Sequence, residues 1–362
     1  MKLNEKKEQV SENKKATVLV SGGAGFIGSH IVDLLIDNNY KVVIVDDLSS
    51  GREENVNKKA RFYKLSITDQ KGLAEVFEQE KPDYVCHEAA QISVSFSVRD
   101  PLFDAQTNIL GSLNLLQCCV CVSHQVKGIV FASSGGTIYG EPEHFPITED
   151  YPFRPQSPYG ISKVTVENYL DFYQKNYHLP YVALRYGNVY GPRQDPYGEA
   201  GVIAIFIERM LKGEIPTING DGEYIRDYVY VEDVAQANLL ALQNMVKLSK
   251  VVREKEKAKT KEEEKKESEA KVEAQAKAGA EVKFNGFNLG TGRGVSVNEI
   301  FSLLKEIIKF PHPAHYGPPR AGDLRKNILD CHLIKNVLGW QPKFGFSAGL
   351  EKTVNWFKEN IK

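Results

Sequence analysis

The amino-acid sequence predicts an α/β protein with a doubly wound parallel β-sheet and a smaller C-terminal lobe. Three observations support this fold class. Short β-branched runs alternate with helical stretches through the first half of the chain. A glycine-rich turn follows the first of these runs directly, and after about residue 190 the alternation loosens into turn-rich segments. Regular alternation of strands and helices is typical of a parallel sheet covered by helices on both faces.

The first elements form a β–α–β unit. Residues 16–22, ATVLVSG, are a β-branched run that ends in glycine, and they predict a buried strand. Apolar residues then recur at helical spacing over 26–38, and KVVIVDD at 41–47 predicts a second buried strand. Strand-like runs recur at RFYKLSI, DYVCHEA, KGIVFASS and YVALRYG. Each run extends the predicted parallel sheet by one strand.

The same pattern divides the chain into two units. Residues 16–190 carry the regular alternation and are interpreted as the main domain, to which a helix at 229–247 returns. The smaller lobe takes 191–228 and 284–362. Within it, TINGDGEYIRDYVYVEDV predicts a hairpin-like stretch that leads into the returning helix. We expect this lobe to close over the carboxyl edge of the sheet and bind the substrate.

Two charged segments fall outside these units. Residues 1–15 have no apolar core, so they are not a signal peptide and predict a disordered tail. Residues 253–283 are almost entirely Lys, Glu and Ala without a sustained apolar face. They predict a charged helical or disordered insertion that takes no part in the chemistry.

Composition and charge limit the classes of partner. Among 362 residues, 42% are hydrophobic and 26% charged, which is ordinary for a globular protein, and the net charge is −1. Without a global basic field, neither nucleic acid nor an anionic membrane is a favoured partner. No apolar run approaches the ~20 residues of a membrane helix, so we expect a cytoplasmic protein. The five cysteines lack zinc-site spacing and predict small buried thiols and no metal.

The glycine turn has the arrangement of a dinucleotide site. Gly22, Gly25 and Gly28 lie between a strand and a helix, where glycine lets the backbone approach a pyrophosphate at the helix N-terminus. Asp46 ends the next strand, where a carboxylate accepts hydrogen bonds from the adenosine ribose and repels the 2′-phosphate of NADP. The cofactor is therefore predicted to be NAD. The alternative for the three glycines is a plain structural turn, and the alternative for Asp46 is a cap of the strand end.

A tyrosine and a lysine share one face of a later helix. Tyr159 and Lys163 are four residues apart in SPYGISK, with Ser157 as a suitable N-cap and Pro158 in the first turn. A neighbouring ammonium stabilises a phenolate, so we expect Lys163 to lower the pKa of Tyr159 and make it a useful base. The pair follows a Ser-rich strand end, FASSGGTIYG, which strengthens this interpretation.

Several further motifs follow in order along the chain, namely HEAAQISV, NILGSLNLL, SSGGTIYG, RYGNVYGPRQ, RDYVYVEDVA, NLGTG and PRAGD. With the glycine turn and YGISK, they resemble the extended short-chain dehydrogenases/reductases of the NAD-dependent epimerase/dehydratase family. The closest resemblance is to UDP-glucose 4-epimerases. This resemblance implies a Rossmann-type sheet, NAD, a UDP-sugar substrate and a homodimer formed through helices near 106–122 and 158–175.

The resemblance also implies roles for individual residues. Tyr159 would take the proton of the sugar 4-hydroxyl while NAD takes the hydride from C4, and hydride would return to the other face of the 4-keto sugar. Lys163 would hold the nicotinamide ribose. The residues implied to bind the cofactor are Gly22, Gly25, Phe26, Ile27, Gly28, Asp46, Ala89, Ala90, Asn108, Tyr159 and Lys163. Those implied to bind substrate are Ser134, Asn188, Arg226, Arg320 and Asp323.

The sequence departs from the family pattern beside the TyrGly of SSGGTIYG. Gly135 stands where known epimerases have a Ser or Thr hydroxyl, so Ser134 or Thr137 is the candidate to reach the sugar 4-oxygen. Related dehydratases and decarboxylases have carboxylates in this stretch for acid–base work. Glycine at both 135 and 136 therefore favours an epimerase over these enzymes.

Some alternatives stay open. Asn327 stands where a bulky residue restricts the N-acetyl group in some relatives, and its medium size is compatible with UDP-GlcNAc and UDP-GalNAc as further substrates. An epimerase of UDP-glucuronate or a UDP-pentose would use the same Tyr159 and Lys163. A non-catalytic NAD-binding scaffold is the alternative from another class, and retention of both residues argues against it.

Overall fold

The computed structural model describes the chain over residues 16–121, 123–197, 201–245, 247–248, 285–319 and 324–360. The charged segments 1–15 and 253–283, with the expectations attached to them, lie outside the described residues. Two of the predicted substrate residues, Arg320 and Asp323, also lie outside them.

The largest element is a seven-stranded sheet in which every neighbouring pair is parallel. The strand order is β10-β6-β5-β4-β1-β2-β3. The predicted doubly wound α/β fold is therefore confirmed, with the strand order of a Rossmann-type sheet extended by one edge strand. The strands are β1 Thr17–Ser21, β2 Lys41–Asp46, β3 Arg61–Lys64, β4 Tyr84–His87, β5 Ile129–Ser134, β6 Tyr181–Tyr186 and β10 Gly286–Leu289.

Helices cover both faces of this sheet. None of them, within the part of the chain that the structure describes, is long and apolar enough to cross a membrane. A π-helical turn, Gln106–Leu110, joins α4 to α5. The helices are α1 Phe26–Asp37, α2 Gln70–Glu80, α3 Val94–Arg99, α4 Pro101–Ala105, α5 Gly111–Cys121, α6 Pro158–Tyr177, α7 Val202–Leu211, α8 231–245, α9 Val297–Ile308, α10 His332–Leu338 and α11 Phe346–Asn360.

Two small sheets and three helices form the second lobe. A three-stranded sheet has the order β11-β9-β7, and a two-stranded sheet pairs β12 with β8. Tyr190, Phe206, Phe301 and Phe357 belong to a hydrophobic core that is separate from those of the large sheet. The strands are β7 Asn188–Tyr190, β8 Thr217–Asn219, β9 Ile225–Tyr230, β11 Gly294–Ser296 and β12 His315–Gly317.

The structure corrects two expectations about these elements. The stretch 217–230 is not a hairpin, because β8 pairs with β12 and β9 pairs with β7 and β11. The domain boundaries are also interleaved. β7 lies within 16–190 but joins the small lobe, whereas β10 lies within 284–362 but forms the edge of the large sheet. Both strands pair with partners distant in sequence, which local patterns do not encode.

Candidate active site

A cleft of about 650 Å³ opens at the carboxyl edge of the large sheet. Here β1 has β2 on one side and β4 on the other, so the order of the chain reverses between β1 and β4. Ligands of open α/β sheets bind at this kind of reversal. The cleft is lined by all the predicted cofactor residues except Asn108, namely Gly22, Gly25, Phe26, Ile27, Gly28, Asp46, Ala89, Ala90, Tyr159 and Lys163.

Close backbone packing explains the glycines of the turn. Gly22 has a φ of +73°, and a Cβ there would lie 2.6 Å from the Ala89 nitrogen. A Cβ on Gly28 would lie 2.1 Å from the carbonyl oxygen of Gly22. Gly25 is the N-cap of α1, and no side chain caps this helix. The uncapped N-terminus of α1 thus faces the cleft with amides suited to a pyrophosphate.

Asp46 has two roles: it holds the glycine turn in place, and it lines the cleft. Its carboxylate accepts hydrogen bonds from the Ala24 nitrogen at 3.0 Å and the Leu48 nitrogen at 2.8 Å. Burial raises the pKa of this carboxyl, which these amides oppose. The side chain therefore has the structural role of a strand-end cap, and its place in the cleft also suits hydrogen bonding to a ribose.

Asn108 supports one wall of the cleft from behind. It is buried in the π-helical turn, where its side chain accepts from the Gln91 nitrogen at 2.8 Å and donates to the Gln91 oxygen at 2.9 Å. It also donates to Asp104 at 3.0 Å. These bonds fix the backbone that follows Ala89 and Ala90, both of which line the cleft.

Tyr159 and Lys163 project from the first turns of α6, at the end of the cleft away from Asp46. Ser157 caps the helix by accepting from the Gly160 nitrogen at 3.2 Å, as predicted from the sequence. The Lys163 Nζ lies 5.6 Å from the centre of the Tyr159 ring and donates to the Ala132 oxygen at 2.8 Å. The helix thus holds a phenol and an amine side by side in the cleft.

The protonation of this pair differs from the expectation. Burial raises the pKa of Tyr159 above its ordinary value, an effect that a hydrogen bond with the Ser134 side chain opposes. Burial also lowers the pKa of Lys163 to about 8. The predicted lowering of the Tyr159 pKa by Lys163 is therefore wrong for the protein alone. Desolvation of the phenolate raises this pKa, the charges of Asp104 and Glu88 add to the rise, and the Lys163 ammonium bonds to the Ala132 carbonyl instead.

Ser134 and Thr137 are placed differently. The Ser134 side chain is hydrogen-bonded to Tyr159. Among the described residues, the Thr137 hydroxyl is buried without a hydrogen-bond partner. Gly135 has no room for a side chain, since a Cβ there would lie 2.6 Å from Leu329 Cδ1. At Gly136 the nearest atom to a Cβ is the Ser134 oxygen, 3.9 Å away. Of the two candidate hydroxyls, Ser134 is thus the one joined to Tyr159.

Of the predicted substrate residues that the structure describes, Asn188 and Arg226 are not among the residues that line this cleft, and Ser134 lies behind the lining, joined to Tyr159. Asn188 begins β7 opposite Tyr228 of β9, and Arg226 lies on β9, where its Nη1 donates to the Ile225 oxygen at 2.9 Å. Asp227, the next residue on β9, is buried and accepts from the Thr291 nitrogen at 2.7 Å. These residues belong to the three-stranded sheet of the small lobe rather than to the large sheet.

Asn327 lies beside the glycines of SSGGTIYG. It is 1% exposed, and its amide Nδ2 donates to the Gly135 oxygen at 3.1 Å. Its Oδ1 has no hydrogen-bond partner among the described residues. A polar atom left unpaired in this position suits contact with a polar group of a ligand.

The sequence interpretation did not single out Glu88 or the segment that closes the cleft mouth. Glu88 follows β4 within HEAAQ and lines the cleft with Tyr159 and Lys163. At the mouth, Arg52 Nη2 lies 3.0 Å from Asp195 Oδ1, and Arg193 Nη2 lies 2.7 Å from Asp33 Oδ2. The sequence could have indicated Glu88, because it is a charged residue directly after a buried strand. The carboxyl ends of the parallel strands meet at one edge, where ligands bind.

Together, an uncapped helix N-terminus, an acidic strand end and a Tyr–Lys pair define a dinucleotide-binding protein equipped for proton and hydride transfer. NAD fits this cleft. The crowded glycines leave room for its pyrophosphate, Asp46 stands at the ribose position, and Lys163 and Tyr159 lie at the reacting end.

Comparison with known proteins identifies the family. The model of the NAD dependent epimerase/dehydratase family matches residues 18–252. A putative UDP-glucose 4-epimerase of Methanocaldococcus jannaschii is 43% identical over 343 residues, covering 95% of this chain and 99% of the relative. A Thermotoga maritima UDP-glucose 4-epimerase, solved with UDP-glucose, has a TM-score of 0.82 and 48% identity, with coverage of 96% and 100%. The Thermus thermophilus UDP-glucose 4-epimerase, solved with NAD, has a TM-score of 0.79 and 40% identity, with coverage of 95% and 100%.

The chain belongs to the NAD-dependent epimerase/dehydratase family, as its motifs predict. NAD is its cofactor, which confirms the prediction made from the glycine turn and Asp46.

Proposed function

We propose that the protein is a UDP-glucose/UDP-galactose 4-epimerase. The observation that carries this proposal is the cluster of Tyr159, Lys163 and Ser134 at the end of the cofactor cleft, beside two glycines where related dehydratases have carboxylates. The similarity to UDP-glucose 4-epimerases over nearly the whole chain supports the same conclusion.

Each residue of the cluster has a defined task in this reaction. Bound NAD supplies the acceptor and donor of a hydride at the sugar C4. Tyr159 holds and returns the proton of the sugar 4-hydroxyl, and Ser134, joined to its phenol, orients that proton. Lys163 is fixed by the Ala132 carbonyl and supplies positive charge to the cofactor ribose and to the phenolate.

The substrate side is assigned by position. Asn188 and Arg226 contact the nucleotide sugar, with the guanidinium paired to its diphosphate. Arg320 and Asp323, outside the described residues, are assigned to the diphosphate and the uridine ribose by the resemblance alone. Rotation of the 4-keto sugar between two hydride transfers accounts for the change of configuration at C4.

The decisive experiment is incubation of the protein with NAD and either UDP-galactose or UDP-glucose, followed by chromatographic analysis of the nucleotide sugars. Both substrates should give the same equilibrium mixture. The matched variant is Tyr159→Phe, which keeps the ring and should lower kcat by about 1,000-fold while NAD stays bound. If UDP-glucuronate or a UDP-pentose is converted and neither hexose is, the protein is an epimerase of that other sugar.

Asn327 favours a second pair of substrates, UDP-GlcNAc and UDP-GalNAc. Asn327 is of medium size and presents an unpaired Oδ1 to its surroundings, which can accept a hydrogen bond from an acetamido N–H. Asn327→Tyr should selectively remove activity on the N-acetyl sugars, because the larger ring fills their space. Undetectable conversion of UDP-GlcNAc by a protein that converts UDP-galactose contradicts this assignment.

We infer a homodimer formed through α6 and the helical segment before α5. Large apolar side chains there are exposed: Leu102 by 82%, Leu110 by 55%, Ile161 by 50% and Phe172 by 48%. The exposed side chains lie on helices that pack against one another, and exposed apolar side chains grouped in this way are typical of a subunit interface. Phe172→Glu should give monomers in sedimentation experiments, whereas Tyr316→Glu, on the exposed β12, should not.

A cytoplasmic location stays a prediction from the sequence.

A further inference from the structure

Glu88 is a partly buried acidic residue that lines the cofactor cleft together with Tyr159 and Lys163. It directly follows β4, and its nitrogen donates to the Ser21 oxygen at 3.0 Å, so it extends the pairing of β4 with β1 by one residue. Its backbone carbonyl carbon lies 2.9 Å from the position a Cβ would take on Gly22. Its place is therefore fixed by the same close packing that forms the glycine turn.

A directed chain of hydrogen bonds holds the Glu88 carboxylate. The Asn238 Nδ2 donates to the Tyr186 hydroxyl at 2.8 Å, and that hydroxyl donates to Glu88 Oε1 at 3.1 Å. Asn238 and Tyr186 are buried at 0% and 6% exposure. Because Asn238 donates to the tyrosine oxygen, the tyrosine is directed to act as a donor toward the carboxylate, which favours the ionised form of Glu88.

The charged and titratable groups around Glu88 belong to the reacting end of the cleft. Lys163 and Tyr159 on α6 and Tyr186 on β6 line the cleft with it, and Cys86 interacts with it from its own strand. Burial raises the pKa of Glu88 to about 7, while Tyr186 and Lys163 oppose this rise. Desolvating a carboxylate is costly for folding, so its retention in the cleft points to a role toward the ligand.

The nicotinamide ring carries a positive charge when oxidised and none when reduced. A negative charge near the ring therefore stabilises the oxidised cofactor relative to the reduced one. We propose that Glu88, held by Tyr186 and Asn238, sets the balance between oxidised and reduced NAD in this protein in favour of the oxidised form. The inference rests on NAD as the cofactor and on the Tyr159–Lys163 end as the nicotinamide end. It does not rest on which sugar is the substrate.

This role suits an enzyme that regenerates its oxidised cofactor in every cycle. Stabilising the oxidised form favours return of the hydride to the sugar, and it disfavours a trapped protein with reduced cofactor and no sugar. Glu88 is thus an electrostatic positioning residue for the hydride acceptor, whereas Tyr159 handles the proton.

The test is a redox titration of the NAD-loaded protein with dithionite and a mediator dye at neutral pH. The absorbance of reduced nicotinamide reports the reduced fraction, and no sugar is added. At a fixed potential, Glu88→Gln should raise the reduced-to-oxidised ratio about fivefold, because it removes, at similar volume, the negative charge that Glu88 carries for part of the time at neutral pH. Tyr186→Phe should raise it about threefold, since loss of the donor leaves Glu88 more often protonated.

The matched control is Asp195→Asn, which removes a cleft carboxylate at the mouth, on the side of Arg52 and Asp46. It should alter the ratio by less than about twofold. A ratio for Glu88→Gln within twofold of the original protein overturns the proposal. If Glu88→Gln does not fold, Tyr186→Phe decides in its place, and an unchanged ratio there overturns it equally. Failure of the sugar assay leaves this readout intact, so the two proposals fail separately.

Discussion

The cofactor half and the proposed substrate half of the site are assembled in different ways. The cofactor half consists of strand ends of one parallel sheet and the first turns of two helices. Gly22 and Asp46 follow or end neighbouring strands, and Tyr159 lies one residue inside α6. The substrate half draws Asn188 and Arg226 from the three-stranded sheet, and Asn327 from a segment bridged to β9.

This difference shows which contacts fix the positions of the residues in each half. In the cofactor half, sequence neighbours are spatial neighbours, because each βα turn places its residues at the same edge. In the substrate half, Asn327 reaches its position through a bond from its nitrogen to the Ile225 oxygen, about a hundred residues earlier in the chain. The cofactor half should therefore be sensitive to local backbone changes, and the substrate half to changes in contacts between segments.

The largest expected effect comes from adding one methyl group to the glycine turn. In Gly28→Ala the Cβ meets the Gly22 carbonyl oxygen at 2.1 Å, which forces the backbone of the turn to move. We expect NAD affinity to fall by about 100-fold or more, with a matching loss of activity. Isothermal titration with NAD measures the effect directly.

The matched control is Gly136→Ala, at a glycine where a Cβ finds its nearest atom 3.9 Å away. It should bind NAD with nearly unchanged affinity and keep its melting temperature. Gly28→Ala with an NAD affinity within threefold of the original would show that the turn is not the tight element described.

The second-largest expected effect is on the reaction rate, and it distinguishes the Ser134 hydroxyl from the Thr137 hydroxyl. Ser134→Ala should lower kcat by about 10- to 100-fold with little change in KM, because the hydrogen bond to the Tyr159 phenol is lost. Thr137→Val should keep a nearly normal rate, since the buried Thr137 hydroxyl has no partner to lose among the described residues. Steady-state kinetics with UDP-galactose distinguish the variants. Normal rates for both would mean that neither hydroxyl takes part.

The sequence was informative where the physics is local. The alternation of β-branched runs with helical stretches predicted the parallel sheet, and the Ser157–Pro158 pair predicted the start of α6, which the structure reproduces. The glycines of the cofactor turn were predicted from the strand–turn–helix pattern, which by itself places them at one edge, whereas Ala89, Ala90 and Asn108 were implied by the family resemblance.

What the sequence did not predict depends on distant partners. The small strand β8 pairs with β12 about a hundred residues away, so the hairpin interpretation of 217–230 was wrong. β10 completes the large sheet by pairing with β6, which no local pattern indicates. Likewise, the pKa of Tyr159 is raised by burial among the surrounding elements and by the charges of Asp104 and Glu88, which are distant in sequence from Tyr159.

The smallest effect concerns how the cofactor half responds to acid. His87 lies at the end of β4, buried, with its Nδ1 2.7 Å from the Ser21 hydroxyl and its Nε2 2.8 Å from the Ser112 hydroxyl. Burial lowers the pKa of His87 to about 3 from an ordinary value of 6.5. Between these values the unfolded chain binds a proton that the folded protein does not. Stability is therefore present above pH 6.5 and is lost as the pH falls below it.

His87 should contribute about 1.4 kcal/mol of unfolding free energy per pH unit in this window. His87→Gln should reduce the slope of stability against pH by that amount, measured by urea denaturation between about pH 6 and pH 5. His144→Gln, at an exposed histidine in the loop after β5, is the control and should change the slope much less than His87→Gln does. Equal slopes for all three proteins would mean that His87 accepts its proton without unfolding. The contacts between β1, β4 and α5 would then be looser than the buried hydrogen bonds indicate.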